Sequence, residues 1–266
     1  MYTSKYIFSI LLLVSFSVFS QQKEKEVKQL QPATVTDTAT TTAVPVIKDR
    51  YGLRVGIDLH RLSRSFYLDG FRGIEAVADY RLTKKMYAAA EVGNLKYTID
   101  DAQLNFTTSG SYMKVGIDLN AYENWLDMEN MVYIGFRYGF SSFSQNLNSY
   151  KIYQNTNIDD TGNYLDEVTV QTDKKYSGLS AHWVEVVGGV KAKLFNNLFL
   201  GFSVRLNGLV ANTKPEGFDN LYIPGFNRTY DGNFGVGFNY TLSYLIPLYK
   251  KEPAAKEATP AKKKKK

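Results

Sequence analysis

The chain has 266 residues, of which 44% are hydrophobic and 14% aromatic, which excludes a disordered protein and allows one barrel, one sandwich or two small domains. It contains no cysteine, which excludes a disulfide framework, a thiolate metal site and a cysteine nucleophile. The formal net charge is +6, but residues 250–266 hold eight Lys and two Glu, so the rest of the chain sums to zero. The charge therefore indicates no basic face on the folded part and no nucleic-acid partner.

The first twenty residues have the composition of a secretory signal peptide. Lys5 precedes an apolar run over residues 6–19, and Val18 and Ser20 provide the small-residue pair typical of a signal-peptidase site. The run is shorter than the roughly 20 residues that a transmembrane helix needs. We therefore expect residues 1–20 to be removed as the protein is secreted.

Two further segments have little to bury. Residues 21–49 are rich in Thr, Ala and Pro after a mixed-charge start, and residues 250–266 are rich in Lys. These compositions predict a flexible leader and a disordered tail. The folded part should therefore span residues 50–249.

Period-two alternation of apolar and polar residues dominates the folded part and predicts eight β-strands. In chain order these strands are 53–60, 71–82, 86–95, 113–120, 131–140, 182–194, 198–207 and 233–246. The sequence VGIDL occurs in the first and fourth of them, with Asp58 and Asp118 on the polar face. Because strands one and four of an up-and-down barrel run in opposite directions, we attribute the repeat to a shared constraint rather than to duplication.

The connections between these strands differ in length. Residues 83–85 and 195–197 are tight turns, whereas 100–110, 144–177 and 212–231 are predicted as long polar loops. The remaining two connections, 63–70 and 122–130, are of intermediate length. An even strand number with alternating short and long connections is typical of a transmembrane barrel with both termini in the periplasm. The predicted fold is all-β, an eight-stranded antiparallel up-and-down transmembrane β-barrel.

Alternation alone does not say which face is inside, because a soluble barrel of the lipocalin type also alternates, with its apolar face inward. The apolar face here is almost free of charge, whereas the polar face carries charges of both signs and many glycines. Glycine weakens a solvated strand, but inside a narrow barrel it leaves room for large ionic side chains. We therefore predict a paired charge network in the lumen, formed by Arg54, Asp58, Glu75, Asp79, Arg81, Glu91, Lys114, Asp118, Arg137, Glu185, Lys191, Lys193 and Arg205.

The signal peptide, the eight alternating segments and the first strand RYGLRVGIDL over 50–59 together resemble small outer-membrane β-barrels of Gram-negative bacteria, from a family whose function is not established. The likeness covers residues 50–249 and is one of pattern, without a catalytic signature. It implies a location in the bacterial outer membrane, with membrane lipid as a partner.

Candidate catalytic and metal-binding residues are few. His60, with Asp58, Ser63 and Ser65 nearby in sequence, could act as a general base, but no motif supports this and we predict an ordinary residue at the lumen rim. The acidic stretch 159–167 lacks the spacing of an EF-hand loop. We predict no enzyme activity, no metal site and no cofactor.

Three functions stay open. The first is a structural or interaction barrel that binds an extracellular ligand through loops 144–177 and 212–231. The second is a small-solute pore, which the strand number opposes because side chains fill an eight-stranded interior. The third is an envelope-remodelling enzyme that uses His60.

Overall fold

A computed structural model describes residues 49–122, 129–154, 166–217, 219–227 and 233–251. All of them belong to Pro45–Lys266, the second of the two units into which the chain divides. The expected signal peptide, nearly all of the expected leader and most of the Lys-rich tail lie outside these ranges.

Within the described ranges, eight antiparallel strands follow one another around a closed barrel in which β8 pairs with β1. The strands are β1 Asp49–Asp58, β2 Phe71–Arg81, β3 Met86–Asp100, β4 Leu104–Asn120, β5 Met131–Gln154, β6 Asp166–Lys193, β7 Leu198–Asn212 and β8 Phe234–Lys251. Each predicted strand overlaps one of these. The predicted all-β class and the up-and-down order are thus confirmed.

Two predicted loops are largely β-structure. Most of residues 100–110 belong to β3 and β4, and only a short turn connects the two strands. Most of residues 144–177 belong to β5 and β6, which form the two arms of one long hairpin. Paired arms satisfy their backbone groups across the hairpin, so they need no apolar face and leave little alternation to detect. Gln145, expected in a loop, is a buried β5 residue whose Nε2 donates to the carbonyl of Tyr222 at 3.2 Å.

The connection between β1 and β2 was also predicted wrongly. β1 ends at Asp58, and helix α1 spans Leu59–Tyr67, so His60 lies on a helix rather than on a strand. The Asp58 carboxylate caps this helix by accepting from the backbone N–H groups of His60 at 2.7 Å and Arg61 at 3.4 Å. Among the described residues, no helix is long and apolar enough to cross a membrane.

The two faces of the barrel wall have opposite character. Ile117, Phe136 and Val186 are neighbours across β4, β5 and β6, and their side chains are 45%, 57% and 45% exposed on the outside. Arg137, which follows Phe136, and Glu185, which precedes Val186, point inward and are buried. The wall therefore presents apolar side chains outward and ionic side chains inward, the reverse of a soluble barrel.

An apolar cluster closes one end of the interior. Residues 220–227 of the predicted loop 212–231 fold into the barrel mouth, where Ile223 and Phe226 are fully buried and Phe226 packs edge-on against Trp183. Gly139 makes room for the Trp183 indole, since a Cβ there would come within 2.1 Å of Trp183 Cε2. The glycines of the inner face thus make space for large side chains at this level.

Candidate functional site: the lumen network

Glu91 on β3 lies at the centre of the charged interior. Its carboxylate is 2.6 Å from Arg205 Nη1, 3.3 Å from Lys114 Nζ and 3.5 Å from Arg137 Nε. Arg137 also contacts Asp118, with 2.7 Å between Nη2 and Oδ1. The four elements β3, β4, β5 and β7 therefore meet across the lumen through one carboxylate.

Two more carboxylates extend this cluster toward the plugged end. Glu185 lies 3.2 Å from Arg205 Nη1 and 3.3 Å from Lys114 Nζ, and it accepts a hydrogen bond from Trp183 Nε1 at 2.7 Å. Glu75 accepts from Arg61 Nε at 2.8 Å and from the Tyr112 hydroxyl. Glu185 and Glu75 thus each have both a cation and a neutral donor, which offsets the cost of their desolvation.

A smaller cluster lies nearer the tight-turn end. Asp79 accepts from Arg54 Nε and from Lys191 Nζ, both at 2.6 Å. The Arg54 guanidinium lies 4.9 Å from the Tyr87 ring centroid and 5.3 Å from that of Phe199. Both rings are within cation–π distance of the Arg54 guanidinium.

The structure places the predicted lumen residues inside the barrel, except that three of them are less buried than expected. Arg81, Lys191 and Lys193 are only half-buried at the turn end. There Arg81 Nη1 donates to the Arg50 carbonyl at 3.0 Å, and Lys193 lies 3.6 Å from Glu129. The other predicted members are buried, namely Arg54, Asp58, Glu75, Asp79, Glu91, Lys114, Asp118, Arg137, Glu185 and Arg205.

Sequence reasoning missed three contributors to the site. Arg61 is buried and pairs with Glu75, but it lies on the unpredicted helix. Asn239 donates to Asp58, and Tyr112 donates to Glu75. The inward parity of Asn239 and Tyr112 on their strands was visible in the sequence, whereas the position of Arg61 follows only from recognising Asp58 as a helix cap.

We define the lumen network as the ion-paired residues of the interior. Within the described part of the chain it contains six cations and six carboxylates, all in contacts of 4.0 Å or less. The cations are Arg54, Arg61, Lys114, Arg137, Lys191 and Arg205, and the carboxylates are Asp58, Glu75, Asp79, Glu91, Asp118 and Glu185. Balanced charge on paired side chains fills the lumen and leaves little field to attract a soluble ion.

The geometry does not assemble a catalytic group around His60. Its Nδ1 donates to the Phe238 carbonyl at 2.9 Å, and its ring stacks on Phe238. Ser63 contacts the Tyr240 hydroxyl and Ser65 contacts Gly73, so neither hydroxyl pairs with the imidazole. In the ranges that the structure covers, no three side chains are grouped as metal ligands. Residues 159–165 of the acidic stretch lie outside those ranges.

Fold and interior together define a closed, up-and-down β-barrel with an ion-paired lumen. Over residues 3–251 the chain matches a protein family described as a domain of unknown function (DUF6048), and it belongs to that family. No curated protein and no solved structure matches the chain.

Proposed function

We propose that the chain is a transmembrane β-barrel of a bacterial outer membrane. The observation that carries the proposal is the inverted polarity of the wall, with Ile117, Phe136 and Val186 exposed outside and the lumen network enclosed. In water this arrangement would expose a large apolar surface, which monomeric soluble proteins avoid. In lipid the same apolar surface is solvated, and the closed sheet leaves few backbone groups unpaired.

Within the membrane, we propose a structural or interaction role rather than conduction. The lumen network fills the middle of the interior and the cluster around Trp183 and Phe226 fills one end. The feature that extends beyond this closed body is the hairpin of β5 and β6, whose arms reach Gln154 and Asp166. Since residues 220–227 of the predicted loop 212–231 pack inside the mouth, the hairpin is the surface we propose for an extracellular ligand.

Single-cysteine labelling tests both the membrane location and the exposure of the hairpin, because the natural chain has no cysteine. Lys175→Cys, exposed on the β6 arm of the hairpin, should react on intact cells with a membrane-impermeant maleimide. Lys84→Cys, in the tight turn between β2 and β3, should react only after the outer membrane is permeabilised. Labelling of Lys84→Cys alone would invert the topology, and equal labelling of both in the soluble fraction would contradict a membrane barrel.

A further inference from the structure

The barrel wall has a notch where β1 ends early. β1 pairs with β2 as far as Ile57 and with β8 as far as Asp58. Beyond these residues, 71–75 of β2 and 234–240 of β8 have no strand between them. Two facing sheet edges are therefore left open in the half of the wall nearer the plugged mouth, and their backbone groups need partners.

Helix α1 covers the notch through side chains. On one edge, His60 Nδ1 donates to the Phe238 carbonyl at 2.9 Å. On the other, the Ser65 hydroxyl accepts from Gly73 N at 2.9 Å and donates to Gly73 O at 3.2 Å. These side-chain hydrogen bonds, with the Arg61–Glu75 ion pair, hold helix α1 in this part of the wall in place of a continuous strand ladder.

A cavity of about 370 Å³ lies behind the notch, between helix α1, the open edge of β8 and the segment that plugs the mouth. Its lining combines the cationic side chains of Arg61 and Arg64 and the imidazole of His60 with the apolar Ile99 and the outward-facing Val236. A cavity with these two kinds of wall fits a molecule that has an anionic group and a hydrocarbon part.

Arg64 is the cation available to such a molecule. Arg61 is committed to Glu75 at 2.8 Å. The Arg64 guanidinium has no carboxylate within salt-bridge distance among the described residues; it lies 4.3 Å from the Phe71 ring centroid and 5.8 Å from that of Tyr97. A half-buried guanidinium held on aromatic rings presents its remaining N–H donors to an oxyanion.

We propose that the notch is a lateral portal through which one anionic lipid reaches the cavity from the bilayer, its phosphate bound by Arg64 and its acyl chain lying against Val236 and Phe238. Phe66 on the same helix α1 is 83% exposed. This inference rests on the proposed membrane location. It adds a ligand class, a specific cation and an entry route to that location.

Lipid titration of the full chain in detergent, read by native mass spectrometry, tests the proposal. With phosphatidylglycerol we expect one lipid retained per chain, and Arg64→Gln should weaken retention roughly tenfold, the value of one charge-assisted contact. Gly237→Leu should remove the bound lipid without altering any charge, because an added Cβ at Gly237 meets only Asn227 Nδ2 at 3.6 Å and a longer side chain would enter the cavity. Arg72→Gln is the matched control, since it removes an exposed cation on the outer face of β2.

Two further ligands test whether binding requires both the net negative charge and the acyl chains of the lipid. Phosphatidylcholine should bind weakly, and glycerol phosphate, which has no acyl chain, should not be retained. Equal loss of lipid in Arg64→Gln and Arg72→Gln, or equal retention of glycerol phosphate, would overturn the proposal. Flotation of the same preparations with lipid vesicles reports separately on membrane location: a chain that floats but retains no lipid fails this inference alone, whereas a chain that does not float fails the proposed function.

Discussion

Glu91→Gln should lower the free energy of unfolding by about 3–5 kcal/mol, the cost of removing one partner from a buried ion pair. Glutamine keeps the shape of the side chain but removes the charge that faces Arg205, Lys114 and Arg137. The interior then holds one more cation than carboxylates, among side chains that are at most 5% exposed. Equilibrium unfolding in detergent, followed by tryptophan fluorescence, measures the effect.

A matched substitution on the surface provides the control for this prediction. Glu167 forms an ion pair with Lys151 at 2.7 Å on the exposed hairpin. Glu167→Gln makes the same chemical change where solvent screens both charges, and the unfolding midpoint should stay unchanged. In the double variant Glu91→Gln, Lys114→Met, charge balance is restored and part of the loss should be recovered. A Glu91→Gln variant as stable as Glu167→Gln would mean that the lumen network is not enclosed.

Ile117→Arg should destabilise the lipid-embedded barrel by about 2–4 kcal/mol, the cost of an arginine at the middle of a membrane. Ile117 lies on the outer face of β4 between the exposed residues Val115 and Leu119. In a water-soluble barrel the same change would place a charge on a solvated surface and cost almost nothing. Unfolding in lipid vesicles by denaturant, compared with the unsubstituted chain, gives the difference.

The control for Ile117→Arg lies on the same face of the same strand. Ser111 points outward on β4 beyond the apolar positions, and its hydroxyl accepts from Asn94 Nδ2 at 2.9 Å. Ser111→Arg should cost no more than about 1 kcal/mol, the value near the membrane interface. Equal costs at the two positions would indicate that the outer face has no membrane-buried belt.

Asp58 links the lumen network to the proposed portal. Its carboxylate caps helix α1 through His60 N, and it accepts from Asn239 on the open edge of β8. The next helical turn carries Arg61, which reaches Glu75 in the lumen. The position of helix α1 in the notch therefore depends on the same ion pairs that fill the barrel.

The strands could be predicted because one side of each strand must be apolar and the other polar, which is a local constraint. The alternation LRVGIDLH continues past Asp58 as if the strand did, so only the capping role of Asp58 and the helical spacing of Leu59, Leu62 and Phe66 mark the start of helix α1. The hairpin arms of β5 and β6 lack alternation because neither face is required to be apolar there.

The sequence could predict that the inward-facing charged residues form ion pairs, but not which residue pairs with which. Glu91 and Arg205 are separated by 114 residues, and their contact depends on the stagger with which the sheet closes. The burial of Ile223 and Phe226 has the same origin, because the surface that they pack against exists only once the barrel has formed. The closure of the barrel, rather than the local sequence, therefore decides both the ion-pair partners and the burial of these two side chains.

Fluorescence quenching from within the bilayer tests the central claim, that the apolar outer face contacts lipid. A bimane probe on Phe136→Cys, at a side chain 57% exposed on the outer wall, should be quenched by brominated acyl chains and protected from aqueous iodide. The same probe on Lys175→Cys should show the opposite response. Quenching of the Phe136→Cys probe by iodide, with no effect of brominated lipid, would contradict the account and place the outer face in water.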